Sequence, residues 1–148
     1  MQTSEILSSD SVLCGQTFSS KKMTLEEMSK LLANTDPSIS YIEVFDCLVA
    51  REKLGSTGLG KGIAIPHGRL KGSKKTIAAF IQLQHGIDYD AIDEAPVDLL
   101  FALLVPEDST DEHLKTLSHL AEMFSNAETL EQLRSETSVE GIHKILTG

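Results

Sequence analysis

Residues 97–106, Val-Asp-Leu-Leu-Phe-Ala-Leu-Leu-Val-Pro, form a nearly unbroken apolar run. Ten residues are too few to cross a bilayer as a helix, which takes about 20. The run is also too uniformly apolar for a strand with one wet face. It reads as a strand buried on both faces, and such a strand needs a layer packed on each side. Two further segments fit the same sheet. Residues 76–84, "TIAAFIQLQ", are apolar and bounded by turn residues, and "GIAIP" (62–66) is a short strand that Pro66, lacking an N–H, should end.

The flanks have the helical period. Thr24 and Glu27 stand at capping-box spacing at the head of a helix over 24–34, with Leu25, Met28, Leu31 and Leu32 on one face. A second helix spans 40–54 and stops at Gly55; its stripe is Val44, Phe45, Leu48 and Val49. After Pro106 a helix capped between Ser109 and Asp111 is expected, followed by helices in "AETLEQLRSE" and "TSVEGIHKILTG", the last with a capping box at Thr137 and Glu140. Helices on both sides of a strand block predict an α/β fold. We expect one domain over residues 1–148, with a mixed parallel/antiparallel sheet of about five strands flanked by helices.

The 148 residues, 41% hydrophobic, suffice for one core, and no linker or internal repeat divides them. The first residues carry neither a basic segment nor an apolar core of signal-peptide type, and no run of 18 apolar residues occurs. Cys14 and Cys47 have no metal-ligand spacing and read as reduced thiols, so a cytoplasmic location with no membrane insertion is expected. The net charge of −9 repels nucleic-acid phosphates and favours partners with a basic face.

The stretch "GSTGLGKGIAIPHGRL" (55–70) raises the question of function. Gly55, Gly60 and Lys61 fit a phosphate-cradling loop, but Gly62 stands where a Ser or Thr must hold magnesium. The order is also reversed, helix then strand, so no helix N-terminus is available for phosphate. A dinucleotide fingerprint fails because Gly58, Gly60 and Gly62 have the wrong spacing. A plain turn with an incidental histidine is the bland alternative. Against it, His67 follows a strand, its glycine neighbours leave the ring uncovered, and Arg51 and Arg69 can bring positive charge near it. A neutral imidazole is a competent nucleophile toward phosphorus, given in-line access and cations for the oxygens. His113 heads an apolar stripe with Leu117, Leu120 and Phe124, so it faces inward, either as a core histidine or as a partner to His67. His119 lies on another face; His85 and His143 read as surface residues.

Three segments, "AREKLGSTGLGKGIAIPHGRL", "IDYDAIDEAPVDLLFALLVPED" and "EHLKTLSHLAEMF", resemble the enzyme IIA domains of the fructose/mannitol class of the bacterial phosphoenolpyruvate-dependent phosphotransferase system. The second is similar to the nitrogen-regulatory branch. The resemblance implies that His67 becomes a tele-phosphohistidine, accepting its phosphoryl group from an HPr-like phosphocarrier (NPr type). It implies orientation or stabilisation by His113, and phosphoryl binding by Arg51, Ser56 and Thr57. It implies no metal and no small cofactor. It further implies regulation of target proteins, such as a potassium transporter or a sensor kinase, by phosphorylation-dependent binding. The alternative it leaves open is a sugar-specific component that passes the group to a IIB domain.

Overall fold

A computed structural model describes residues 2–109 and 111–148. In chain order the elements are α1 (Thr3–Ile6), β1 (Val12–Gln16), α2 (Lys21–Asn34), α3 (Tyr41–Glu52), β2 (Gly58–Gly60), β3 (Ile63–Ala64), β4 (His67–Leu70), β5 (Ile77–Ile87), β6 (Val97–Pro106), α4 (Asp111–Phe124), α5 (Ala127–Ser135) and α6 (Val139–Thr147). The strands run β1-β5-β6-β3-β2, with β4 also paired to β6. Pairings β1–β5, β3–β6 and β4–β6 are parallel, while β5–β6 and β2–β3 are antiparallel. The mixed sheet between helices matches the expectation from sequence. No helix among the described residues is long and apolar enough to cross a membrane.

The apolar run is β6, and it is the spine of the sheet. Its side chains alternate between two cores. Leu100, Ala102 and Leu104 pack with Leu25, Met28, Val44 and Leu48 of α2 and α3. Leu99, Phe101, Leu103 and Val105 pack with Leu120, Phe124, Leu133 and Ile142 of α4, α5 and α6. Phe101 meets Phe80 and Phe124 in tilted, edge-like contacts at 6.4 and 5.9 Å between ring centres. Burial on both faces is what the uniform hydrophobicity of the run encodes.

Pro66 interrupts its strand without terminating it. Ile63 and Ala64 pair with Leu99 and Leu100, and His67 to Leu70 pair with Leu103 to Pro106, so one register offset persists through the break. The Pro66 carbonyl accepts the Leu103 N–H at 2.9 Å and carries the ladder across the gap. This is why the sheet has six strands where about five were expected. The strand β1 has no counterpart in the expectation. Gly15, with φ of +66°, and a register shift between Leu13 and Gln16 hide its alternation. The buried Gln82 amide holds it: Oε1 accepts the Gly15 N–H, and Nε2 donates to the carbonyls of Leu133 and Glu136.

The helix caps differ from the expected ones. Helix α2 starts at Ser20, whose hydroxyl accepts the Met23 N–H; Thr24 is buried inside the first turn and donates to the Ser20 carbonyl. Helix α6 is capped by Ser138, one residue past Thr137, through the Gly141 N–H. Both are hydroxyl N-caps. The cap expected between Ser109 and Asp111 spans Thr110, which lies outside the described residues. His143 is half-buried, not a bare surface residue, and its Nε2 lies 2.9 Å from the Leu7 carbonyl.

The glycine stretch builds a hairpin of β2 and β3, not a phosphate loop. Gly62 has φ of +81°, and a Cβ there would collide with the Arg134 guanidinium and the Asp98 carboxylate. Arg134 is held at that place by two-point contact with Asp98 and by the Lys61 carbonyl. Gly62→Ala should therefore lower stability by about 1–3 kcal/mol through backbone strain and loss of that clamp. Urea unfolding monitored by circular dichroism checks this; an unchanged midpoint would show the clamp to be dispensable.

Candidate active site

His67 opens β4 on the face shared by Ile63 and Ile65, toward α4. The strand that pairs outside it, β2, is short. Thr57, just before it, still takes the Ile65 N–H on its carbonyl at 3.1 Å, but the Ile65 carbonyl is left without a strand partner. The His67 ring supplies one: Nδ1 lies 2.7 Å from the Ile65 oxygen. A carbonyl only accepts, so Nδ1 carries the proton and Nε2 carries the lone pair. The Arg69 carbonyl faces the same uncovered edge and accepts the Cys47 S–H at 3.3 Å. Gly68 lets α3 come this close, because a Cβ there would stand 2.5 Å from Cys47 Sγ.

Arg51, in the last turn of α3, reaches the lone-pair nitrogen. Its Nε–H lies 3.3 Å from His67 Nε2, while Nη1 donates to the Gly55 carbonyl at 2.8 Å. His113 comes from the opposite side, with ring centres 5.5 Å apart and planes tilted by 50°. Two helices on opposite faces of the sheet thus bring their side chains to one edge strand. The site opens into a cleft of about 690 Å³ lined by both histidines, Arg51 and Arg69, with Glu43 and Asp46 on the α3 wall. His119 lies elsewhere, in a hollow beside the N-terminal residues. His85 is exposed.

Both histidines are held neutral. Burial pushes the His67 pKa down; its bond to Ile65 opposes this, the Arg51 charge adds to it, and Glu52 counters. His113 is 6% exposed, and its pKa is pushed down to about 4, first by burial, then by competition with His67 for a proton and by the Arg69 charge. Among the described residues its Nδ1 has no hydrogen-bond partner. A neutral His67 with Nε2 free is the nucleophilic form, and a neutral His113 can donate without repelling a cation.

Ser56 and Thr57 stand beside the site but their hydroxyls are engaged beneath the loop. Ser56 Oγ donates to the Tyr89 carbonyl at 3.1 Å and accepts the Gly58 N–H. Thr57 gives its N–H and its hydroxyl to the Glu52 carboxylate, and its Oγ1 lies 3.1 Å from the Tyr89 hydroxyl. Lys21 closes the cluster, 3.0 Å from Glu52 and 3.2 Å from the Tyr89 carbonyl. Glu52, Tyr89 and Lys21 were not found in the sequence. Tyr89 is fully buried, and burial with Glu52 nearby pushes its phenol pKa strongly upward. This network anchors the turn whose Gly55 carbonyl holds Arg51.

The chain matches, over residues 5–148, the family model described as "Phosphoenolpyruvate-dependent sugar phosphotransferase system, EIIA 2". It is 49% identical over 127 residues to the nitrogen regulatory protein of Pseudomonas aeruginosa, covering 86% of this chain and 82% of that protein. The nitrogen regulatory protein of Escherichia coli K12 is 43% identical over 148 residues, or 99% and 90% of the two chains. The crystal structure of nitrogen regulatory protein IIA-Ntr from Neisseria meningitidis superposes with a TM-score of 0.91 at 46% identity, covering 97% of each chain. The fold and these matches define a phosphotransfer component of that system. The chain belongs to its EIIA type 2 family, and the relatives just named are those of the nitrogen-regulatory branch.

The depressed histidine pKa values have a consequence for stability. Between pH 6.5 and about 4 the unfolded chain binds a proton at position 113 and the native chain does not. Stability from this residue is therefore complete above the unfolded pKa and is lost as pH falls through the window, by up to about 1.4 kcal/mol per pH unit. His113→Gln should flatten urea-derived stability between about pH 6.5 and 4.5, above most carboxylate titration, leaving the smaller slope from His67. A slope equal to that of the wild type would contradict a neutral, buried His113.

Proposed function

We propose that the protein is a phosphocarrier in which His67 Nε2 accepts a phosphoryl group from an HPr-like carrier of the nitrogen type. The observation that carries this is the Nδ1 bond to Ile65, which leaves the Nε2 lone pair facing an open cleft beside Arg51. In the transfer, the lone pair of Nε2 attacks phosphorus as the donor's P–N bond breaks. That bonding pair returns to the donor imidazole. The phosphorylated His67 ring keeps its proton on Nδ1, donated to Ile65, so it is cationic and leaves later as neutral imidazole. No proton has to move at His67 in either direction, and catalysis reduces to positioning and charge stabilisation. Arg51 yields its contact with Nε2 to the incoming oxygens, and His113 stabilises them from the α4 side. Ser56 and Thr57 serve the phosphoryl group by holding the turn behind Arg51.

The output we propose is regulatory. The phosphoryl group brings close to two negative charges, one of them offset by the ring it makes cationic, and three acceptor oxygens. It does so in a cleft already walled by Glu43 and Asp46, on a chain of net charge −9. Targets such as a potassium transporter or a sensor kinase then distinguish the two states. The relationship to nitrogen regulatory proteins at 43–49% identity supports this reading over a sugar-specific component.

Intact mass after incubation with phosphoenolpyruvate, enzyme I and an HPr-type carrier tests the chemistry. Wild type should gain one acid-labile phosphoryl group, His67→Ala none, and His113→Ala should gain it about a hundredfold more slowly. Phosphorylation of His67→Ala alongside an inert His113→Ala would reverse the two roles. Target binding that ignores the state of His67 would remove the regulatory half.

A further inference from the structure

The chain has three arginines: Arg51, Arg69 and Arg134. Arg134 is tied to Asp98 and the Lys61 carbonyl, far from the histidines in role. The other two both line the His67 cleft. Arginine, with its planar fork of donors, is the side chain suited to two-point contact with phosphoryl oxygens, and a lysine does not replace it there.

Arg69 lies two residues after His67 in β4, so the two side chains leave the strand on the same face. That face is fixed by its neighbours, since Ile63 and Ile65 pack toward α4 while Ala64 and Leu70 pack toward α2 and α3. His113 sits over it from α4, and the Arg69 charge is one of the influences that keep His113 neutral. The cleft also holds Glu43 and Asp46, yet among the described residues neither pairs with Arg69. The hydrogen bond made by Arg69 uses its backbone carbonyl, to Cys47, and leaves the guanidinium uncommitted. On a chain with 22 acidic and 13 basic residues, an arginine kept without an acid beside a nucleophile marks a place for an arriving anion.

We propose that Arg69 is a second phosphoryl-binding residue, gripping the group on His67 from the β4 side while Arg51 holds it from α3. This rests on the phosphocarrier reading above. It also divides the work of the two cations. Arg51 contacts Nε2 before the phosphoryl group arrives and is braced by Gly55. Among the described residues the Arg69 guanidinium has no resting partner to release, so its contact forms only with the phosphoryl group and favours the phosphorylated state and the transition state leading to it.

The test uses a small donor, so that docking of a carrier protein does not enter. Phosphoramidate, carrying a proton on its nitrogen as the zwitterion, transfers its phosphoryl group to Nε2 as its P–N bond breaks and ammonia leaves with the bonding pair. Wild type, Arg69→Gln and Arg69→Lys are followed by intact mass and by the ³¹P resonance of the phosphohistidine as pH is varied. Arg69→Gln should be phosphorylated about tenfold more slowly, with Arg69→Lys between it and wild type. The ³¹P titration of the phosphoryl group in Arg69→Gln should move to higher pH, because a lost cation disfavours the dianion. Equal rates and an unmoved titration, with a loss only in KM for an HPr-type carrier, would make Arg69 a docking residue and overturn the proposal. Wild type that takes no phosphoryl group from either donor overturns the phosphocarrier reading itself, which separates the two failures.

Discussion

The hydrogen bond between His67 Nδ1 and the Ile65 carbonyl is the contact on which the site depends. It exists because one strand is shorter than its neighbour. Ile65 spends its N–H on Thr57, and the outer partner strand does not extend to take its carbonyl. A buried carbonyl left unpaired costs about 1–3 kcal/mol, so the ring is drawn to it. Sheet geometry thereby selects the tautomer of His67 with no carboxylate assisting. A carboxylate at Nδ1 would raise the imidazole pKa and hold a proton on the ring; a carbonyl orients it while burial keeps it neutral.

The rest of the fold can be understood as the means of bringing two opposite helices to that edge. The strand β6 is buried on both faces and gives each helical layer a rigid floor. From one layer α3 delivers Arg51, and from the other α4 delivers His113. Neither layer touches both sides of the histidine alone. The network of Glu52, Thr57, Tyr89 and Lys21 then fixes the end of α3 against the loop that supports Arg51. A charged pair this buried contributes little net stability, and its value lies in holding one geometry.

Much of this was legible in the sequence, and the remainder failed for identifiable reasons. The run at 97–106 matched β6 residue for residue, because continuous hydrophobicity over ten positions has few other solutions. The structure brings together His67, His113 and Arg51, which the sequence singles out through a motif, an apolar stripe and a family resemblance. The Tyr89 network is not singled out, because Tyr89 stands 32 residues from Thr57 and 68 from Lys21, and nothing local marks a tyrosine whose hydroxyl faces a distant threonine. Ser56 and Thr57 entered only through the family resemblance, and the partners of their hydroxyls, Tyr89 and Glu52, lie beyond what that short segment shows. The strand β1 escaped because Gly15 breaks its alternation, and Pro66 looked like an end because a ladder that continues through a neighbouring carbonyl leaves no trace in composition.

A site made in this way has a particular charge economy. In the resting state two neutral histidines and two arginines share one cleft, with the acids confined to its α3 wall. Were His113 protonated, it would repel both arginines and turn a transfer site into an anion trap, since a group held by too many cations is slow to leave. Burial of His113 prevents this, and among the described residues no partner for its Nδ1 opposes it. On the phosphocarrier reading, the phosphoryl group then meets enough positive charge to bind and an imidazole that departs without needing a proton. The same neutrality leaves the two arginines balanced by Glu43 and Asp46, so on the proposed reading phosphorylation turns a near-neutral cleft negative, and a binding partner would read a change of charge at one fixed position rather than a change of fold.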